Sequence, residues 1–315
     1  KLNPQDFALW KKAKDDEPYF DSPWGKGRPG WHIECSAMVK DELGDTIDIH
    51  LGGSDLIFPH HENEIAQSEA ATGKKLANYW LHNGMVNVNG QKMSKSLKNF
   101  TTIRELIKSG ISPMTLRYFV LTVNYRKPLD FNEEALKSAS DAWKNINVAL
   151  SFEDFTKDSP VFCNNEEDKL IEEKYKEKVI FELNLKKKKF INALNNDLNT
   201  AGAIAVIYEL AKPLKNFINQ FQRIKNIEVE LNEKLLLNKT LEMLKELTEV
   251  LGLKKEDVIK ENNIHEDEIK ILIKQRLTAK REKNFAEADK IRNILKDRGI
   301  ELIDQSNELT TWLRI

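Results

Sequence analysis

Three short stretches carry residue types and spacings that can do chemistry. In Pro59-His60-His61-Glu62-Asn63-Glu64 the proline suits the first turn of a helix, and His60 and Glu64, four residues apart, then project from one face and can share a metal ion. Cys35, which ends Gly30-Trp31-His32-Ile33-Glu34-Cys35, adds a sulfur to that nitrogen and oxygen, giving three of the four donors that zinc prefers. On spacing alone a His–Glu pair is more often a helix-surface pair. Cys35 and the local density of histidine turn the reading toward metal.

The second stretch is Thr46-Ile47-Asp48-Ile49-His50, a buried strand by pattern, followed by Leu51-Gly52-Gly53-Ser54-Asp55 and a helix expected from about Pro59. Strand, glycine turn and helix form a nucleotide-site grammar, in which Gly52 and Gly53 let backbone approach a ligand and Asp55 accepts hydrogen bonds from ribose hydroxyls. The third is Lys92-Met93-Ser94-Lys95-Ser96, which follows Met85 to Val88 and an Asn89-Gly90 hairpin turn. Two lysines and two small hydroxyls suit a mobile loop that closes over a triphosphate and neutralises charge building on the leaving group.

These stretches need elements to hold them. Residues 1 to 100 contain five of the six histidines, four of the six tryptophans and most of the Gly and Pro. After Thr101 the texture changes to long Leu/Ile/Lys/Glu/Asn segments with apolar residues at helical spacing, such as Leu136, Trp143, Ile146 and Leu150. The expected order is residues 1–100 for the site, 101–153 as a first helical segment, 165–258 as a helical bundle and 265–315 as a small terminal domain. Gly299 is placed to end the last helix.

A chain of 315 residues exceeds one ordinary core. No apolar run approaches the roughly 20 residues that cross a bilayer, and the first residues do not resemble a signal peptide, so a cytosolic protein without a membrane partner is expected. Cys35 and Cys163, the only cysteines, stand far apart in different contexts and make a poor disulfide framework; a thiol with a chemical role fits better. With 49 basic and 50 acidic residues, a polyanionic partner must be sought in local patches. The run Lys186 to Lys189 reads as a solvated helix face rather than a nucleic-acid contact. The block from Lys270 to Arg298 is locally basic.

In order, the segments Pro23 to Ser36, His50 to Asp55, Phe58 to Glu64 and Lys92 to Ser96 closely resemble the cysteine–tRNA ligases, a family of class I aminoacyl-tRNA synthetases; Lys92 to Ser96 reproduces their KMSKS signature without a mismatch. Leu116-Arg117-Tyr118-Phe119 and Tyr125-Arg126 resemble that family's stem-contact region. Ala193 to Lys212, with Asp197-Leu198-Asn199-Thr200, resembles its helical domain, and Ala286-Glu287-Ala288-Asp289 with Thr310-Thr311-Trp312 its anticodon-binding module.

The resemblance implies the C-terminal part of a Rossmann-like α/β catalytic domain followed by mainly α-helical tRNA-binding domains, the bundle being of DALR type. It implies ATP-dependent ligation of L-cysteine to cysteine tRNA through cysteinyl-adenylate, with one Zn²⁺ per subunit, Mg²⁺ accompanying ATP, and a monomer. By the same resemblance Cys35, His60 and Glu64 are zinc ligands, and Trp31 and His32 line the cysteine site. Gly52, Gly53, Ser54 and Asp55 bind ATP with Lys92, Met93, Ser94, Lys95 and Ser96, and Lys92 and Lys95 serve catalysis. No His-x-Gly-His occurs among the 315 residues, so the chain is expected to begin inside the catalytic domain and to be inactive alone. The rival expectations are a cysteine ligase acting on an amino sugar, as in mycothiol biosynthesis, and a non-catalytic tRNA-binding fragment.

Overall fold

The computed structural model describes residues 3, 6–94, 96–97, 99–157, 159, 162, 171–223, 229–257, 266–282, 284–298, 300–304 and 310–314. The chain divides into two units, Lys1–Leu106 with Val123–Ala135, and Ile107–Thr122 with Leu136–Ile315. Lys95, Cys163 and Gly299 lie outside the described residues.

In the first unit a short antiparallel ribbon, β1 (Trp10–Lys12) with β2 (Gly27–Pro29), precedes helix α1 (Ile33–Leu43). Strand β3 (Ile47–Gly53) then pairs in parallel with β4 (Ala77–Asn83), and helix α2 (Glu62–Thr72) lies between them in sequence. Parallel neighbours need such a crossover, because a tight turn would reverse the chain. The expected glycine turn is part of the strand: Gly52 pairs with His82 and Gly53 with Asn83, and the chain turns at Ser54–Leu56.

The regular helix also begins later than Pro59. Residues preceding proline are pushed out of the α region, and Phe58 is extended (φ −132°, ψ 133°), which leaves Ile57–His61 as an irregular turn ahead of Glu62. Asn89 and Gly90, with φ of 50° and 77°, turn β5 (Val86–Val88) into β6 (Gln91–Lys92). Strand β7 (Leu129–Phe131) pairs in parallel with β5, so residues 123–135 return to the first unit although the sequence reading grouped them with 101–153.

Helix α3 (Ile103–Lys108) starts on a capping box: the Thr102 amide donates to Glu105 Oε2 at 2.7 Å and the Glu105 amide to Thr102 Oγ1 at 3.2 Å.

The second unit is mainly helical. Ser112 caps α4 (Pro113–Leu121), accepting from the amides of Met114 and Thr115 at 3.1 Å each. Trp143, Ile146 and Leu150 on α5 (Glu133–Leu150) are buried, as their helical spacing predicts, and Phe152 of α6 (Phe152–Thr156) joins them. Helices α7 (Glu173–Asn195), α8 (Thr200–Arg223) and α9 (Leu231–Val250) pack on one another and bury Phe190, Ile207, Leu214, Leu244 and Leu247.

The segment after α9 is stitched back by polar bonds. Glu256 receives hydrogen bonds from Ser112 Oγ at 2.8 Å and Trp143 Nε1 at 2.7 Å, and its backbone exchanges bonds with the Asn147 amide at 2.9 and 3.1 Å. The last block pairs α10 (Glu266–Arg281) and α11 (Phe285–Asp297) over a core of Ile269, Ile273, Ile291 and Leu295. It also holds an antiparallel pair, β8 (Ile300–Asp304) with β9 (Thr310–Arg314), which the helical reading did not anticipate. No helix among the described residues is long and apolar enough to cross a membrane.

Candidate functional site

The register of β3 on β4 sets His50 opposite Trp80 and Gly52 opposite His82. The Trp80 ring consequently stacks on His50 (centroids 4.4 Å, 16°) and lies parallel to His82 (6.1 Å, 8°). The irregular turn before α2 sends its two histidines different ways. His61 is buried, hydrogen-bonds through Nδ1 to His82 Nε2 at 2.8 Å, and lies 4.6 Å from the His50 ring. His60 instead meets the ring of His32 at 4.9 Å and that of Trp31 at 5.4 Å, both edge-on. Gly52 is required by this packing, since a Cβ there would lie 2.9 Å from His61 Nε2 and closer still to its Cε1.

Glu64, in the first turn of α2, is only 8% exposed and takes a hydrogen bond at 2.9 Å between its Oε2 and His50 Nε2. The Cys35 thiol lies in the field of the same carboxylate; partial desolvation and the negative charge of Glu64 push its pKa up. Burial, with neighbouring His50, holds the pKa of His61 down, and burial with His60 does the same for His32. His32 takes the left-handed conformation (φ 75°) at the start of α1, and the exposed Trp31 ring stacks on it at 5.5 Å. Gln67 Nε2 donates to the Trp31 carbonyl at 3.2 Å and ties α2 to this turn.

The structure therefore brings Cys35 to Glu64, but sets His60 beside His32 and Trp31. Among the described residues, the group whose donor atoms all fall within 4.8 Å of one another is His50, His61 and Glu64. Two imidazole nitrogens and a carboxylate so close together are donors that zinc takes, so these residues fit such an ion.

At the end of β3, Asp55 is exposed and pairs with Lys92 Nζ at 3.5 Å. The loop after Lys92 is folded by Asn99, whose Nδ2 donates to the Lys92 carbonyl at 3.1 Å and whose Oδ1 accepts from the Ser94 amide at 2.9 Å. Ser94 and Ser96 hydroxyls lie 3.1 Å apart, and the Met93 amide donates to Val86 O at 2.9 Å. The sequence reading gives no role to His50 and His61, although both stand in its stretches, and does not single out Trp80, His82 or Asn99. Histidine density was a signal for the first of these, but the pairing of strands thirty residues apart is not written in local spacing.

In the second unit, Lys186 pairs with Glu209 on α8 at 3.2 Å and Lys187 with Glu246 on α9 at 2.5 Å, so two members of the basic run connect helices. In the segment read as a stem contact, Arg117 donates from Nε to the Leu251 carbonyl at 2.6 Å, while Tyr118 and Phe119 are buried.

Residues 1–141 match the model of the tRNA synthetases class I (C) catalytic domain, and residues 189–255 match the DALR domain. The whole chain is 78% identical to a cysteine–tRNA ligase of Prochlorococcus marinus (strain AS9601) and 75% identical to that of strain MIT 9215. It is 52% identical to the cysteine–tRNA ligase of Synechococcus sp. (strain CC9902). In each case the chain is covered completely and spans 64% of the relative's length.

Proposed function

We propose, from its 75–78% identity to cysteine–tRNA ligases over its whole length, that the chain is a member of that family and serves the ATP-dependent activation of cysteine and its transfer to tRNA. The observation that carries the reading is the convergence at the carboxyl end of β3, where a thiol, a buried carboxylate and imidazoles gather beside Gly52 to Asp55, and Lys92 reaches Asp55.

In the proposed first step the cysteine carboxylate attacks the α-phosphorus of ATP, giving cysteinyl-adenylate and pyrophosphate. In the second, a hydroxyl of the terminal ribose of tRNA takes the cysteinyl group and AMP leaves. Gly52 to Asp55 hold the adenosine, Asp55 accepting from ribose hydroxyls. Lys92, Met93, Ser94, Lys95 and Ser96 form the ATP-binding loop, whose lysines neutralise the departing pyrophosphate alongside substrate-bound Mg²⁺. Trp31 and His32 line the cysteine pocket. On the family pattern Cys35, His60 and Glu64 would hold zinc, and His50 and His61 are the further nitrogens within reach of Glu64. Bound there, zinc supplies a strong preference for thiolate over hydroxyl, which separates cysteine from serine where a hydrophobic pocket discriminates weakly.

The helical unit provides the tRNA-binding surface in this reading. It also weighs against ligation to an amino sugar, which has no use for such an extension. A monomer in the cytosol completes the proposal, the reducing compartment fitting a free thiol at Cys35.

Cysteine-dependent ATP–pyrophosphate exchange, measured with the chain joined to the remaining part of a relative's catalytic domain, tests the reading, with Lys95→Ala as the diagnostic variant. Adenylate formation should slow by a factor of about a hundred while cysteine affinity changes little. A large loss of cysteine affinity with an unchanged chemical step would refute the role of the loop.

A further inference from the structure

We propose that His50 is a positioning residue for the Glu64 carboxylate, fixing the orientation in which that group meets Cys35 and a metal; the proposal rests on the zinc reading above. His50 ends the strand of the nucleotide-site stretch, where the sequence gives it no role of its own. Its place follows from the sheet: the pairing of His50 with Trp80 lays one ring on the other at 4.4 Å and 16°, and the His61 ring closes in at 4.6 Å. A ring held between neighbours in this way has little freedom to turn. Its Nε2 stands 2.9 Å from Glu64 Oε2.

A carboxylate only accepts, so Nε2 carries the proton and donates. Glu64 is 8% exposed, and a carboxylate so enclosed needs donors to offset its lost hydration. His50 supplies such a donor. The backbone of Glu64 is held separately, its carbonyl accepting from Ser36 Oγ at 3.4 Å. Helix α2 thus brings the carboxylate to the site, and His50 determines how it faces. Partners that orient a ligating carboxylate from outside typically govern metal affinity by about 10- to 100-fold.

His50 also lies among the donors grouped around Glu64, so the test separates orienting the carboxylate from binding the ion directly. Zinc affinity is measured by chelator competition on the native protein and on His50→Ala and His50→Gln, with the melting temperature of each metal-free form. His50→Ala should weaken zinc by about 10- to 100-fold. His50→Gln, whose amide N–H can reach the carboxylate but which is a poor zinc ligand, should recover most of that loss and melt as the native protein does.

Equal affinity in His50→Ala and the native protein would overturn the proposal while leaving the zinc reading intact. A His50→Gln variant that folds but binds no better than His50→Ala would overturn it too, marking the imidazole as a ligand. A native protein with no zinc affinity would overturn both.

Discussion

Gly52 shows how a single missing side chain shapes the site. His61 occupies the space where a Cβ would stand, and its ring is fixed from the other side by the 2.8 Å bond to His82. Gly52→Ala must displace that buried ring or the strand, an overpacking that should cost about 1–3 kcal/mol in urea unfolding of the first unit and raise the KM for ATP. An unchanged unfolding midpoint would show that the ring yields freely.

At this scale much was legible. Motif chemistry singles out Cys35, Glu64, Asp55 and Lys92, and the structure pairs Lys92 with Asp55 at 3.5 Å. The histidines were legible only as a density. Which of them faces Glu64 depends on strand register and on a turn in which Phe58 is extended, and neither follows from a spacing of four.

Among elements, the helices after Thr101 announced themselves by periodicity, and Leu136, Trp143, Ile146 and Leu150 are buried as that pattern requires. The pair β8 and β9 did not, because its few residues lie in a short segment where alternation and helical spacing are hard to tell apart. The polar stitch at Glu256 was also invisible, since it joins residues more than a hundred positions apart. It yields a prediction: Trp143→Phe keeps most of the buried volume but removes the indole donor from the Glu256 carboxylate. Unfolding of the helical unit in urea should lose about 1.5–3 kcal/mol, the range for a hydrogen bond to a charged group. No loss would mean that solvent replaces the donor.

The same core contains Tyr118, 4% exposed, whose pKa burial and neighbouring Tyr208 push up to about 12. A raised acid pKa means that the folded state keeps its proton longer than the unfolded chain. Its contribution is therefore complete below the ordinary tyrosine range and is lost as pH rises through about 12. Absorbance titration of tyrosinate should show one slow-ionising tyrosine in the native protein, absent in Tyr118→Phe; full ionisation near pH 10 would contradict its burial.

For the whole molecule, the division of labour was readable from composition: site residues concentrate before residue 100 and helices follow. The boundary was not, because β7 pairs with β5 and returns residues 123–135 to the first unit across an intervening helix. The near-neutral charge likewise conceals local arrangement, with Lys186 and Lys187 joining helices and ten basic residues against four acidic ones in the stretch from Lys270 to Arg298. What binds these features into the proposed function is a metal that would select a thiol beside a turn that would hold the nucleotide. The most direct test is ATP–pyrophosphate exchange by the protein at the full length of its relatives, with cysteine and with serine, before and after zinc is removed by chelation. The account predicts exchange with cysteine alone, lost with the zinc and restored when zinc returns. Undiminished exchange in zinc-free protein, or equal exchange with serine, would contradict it.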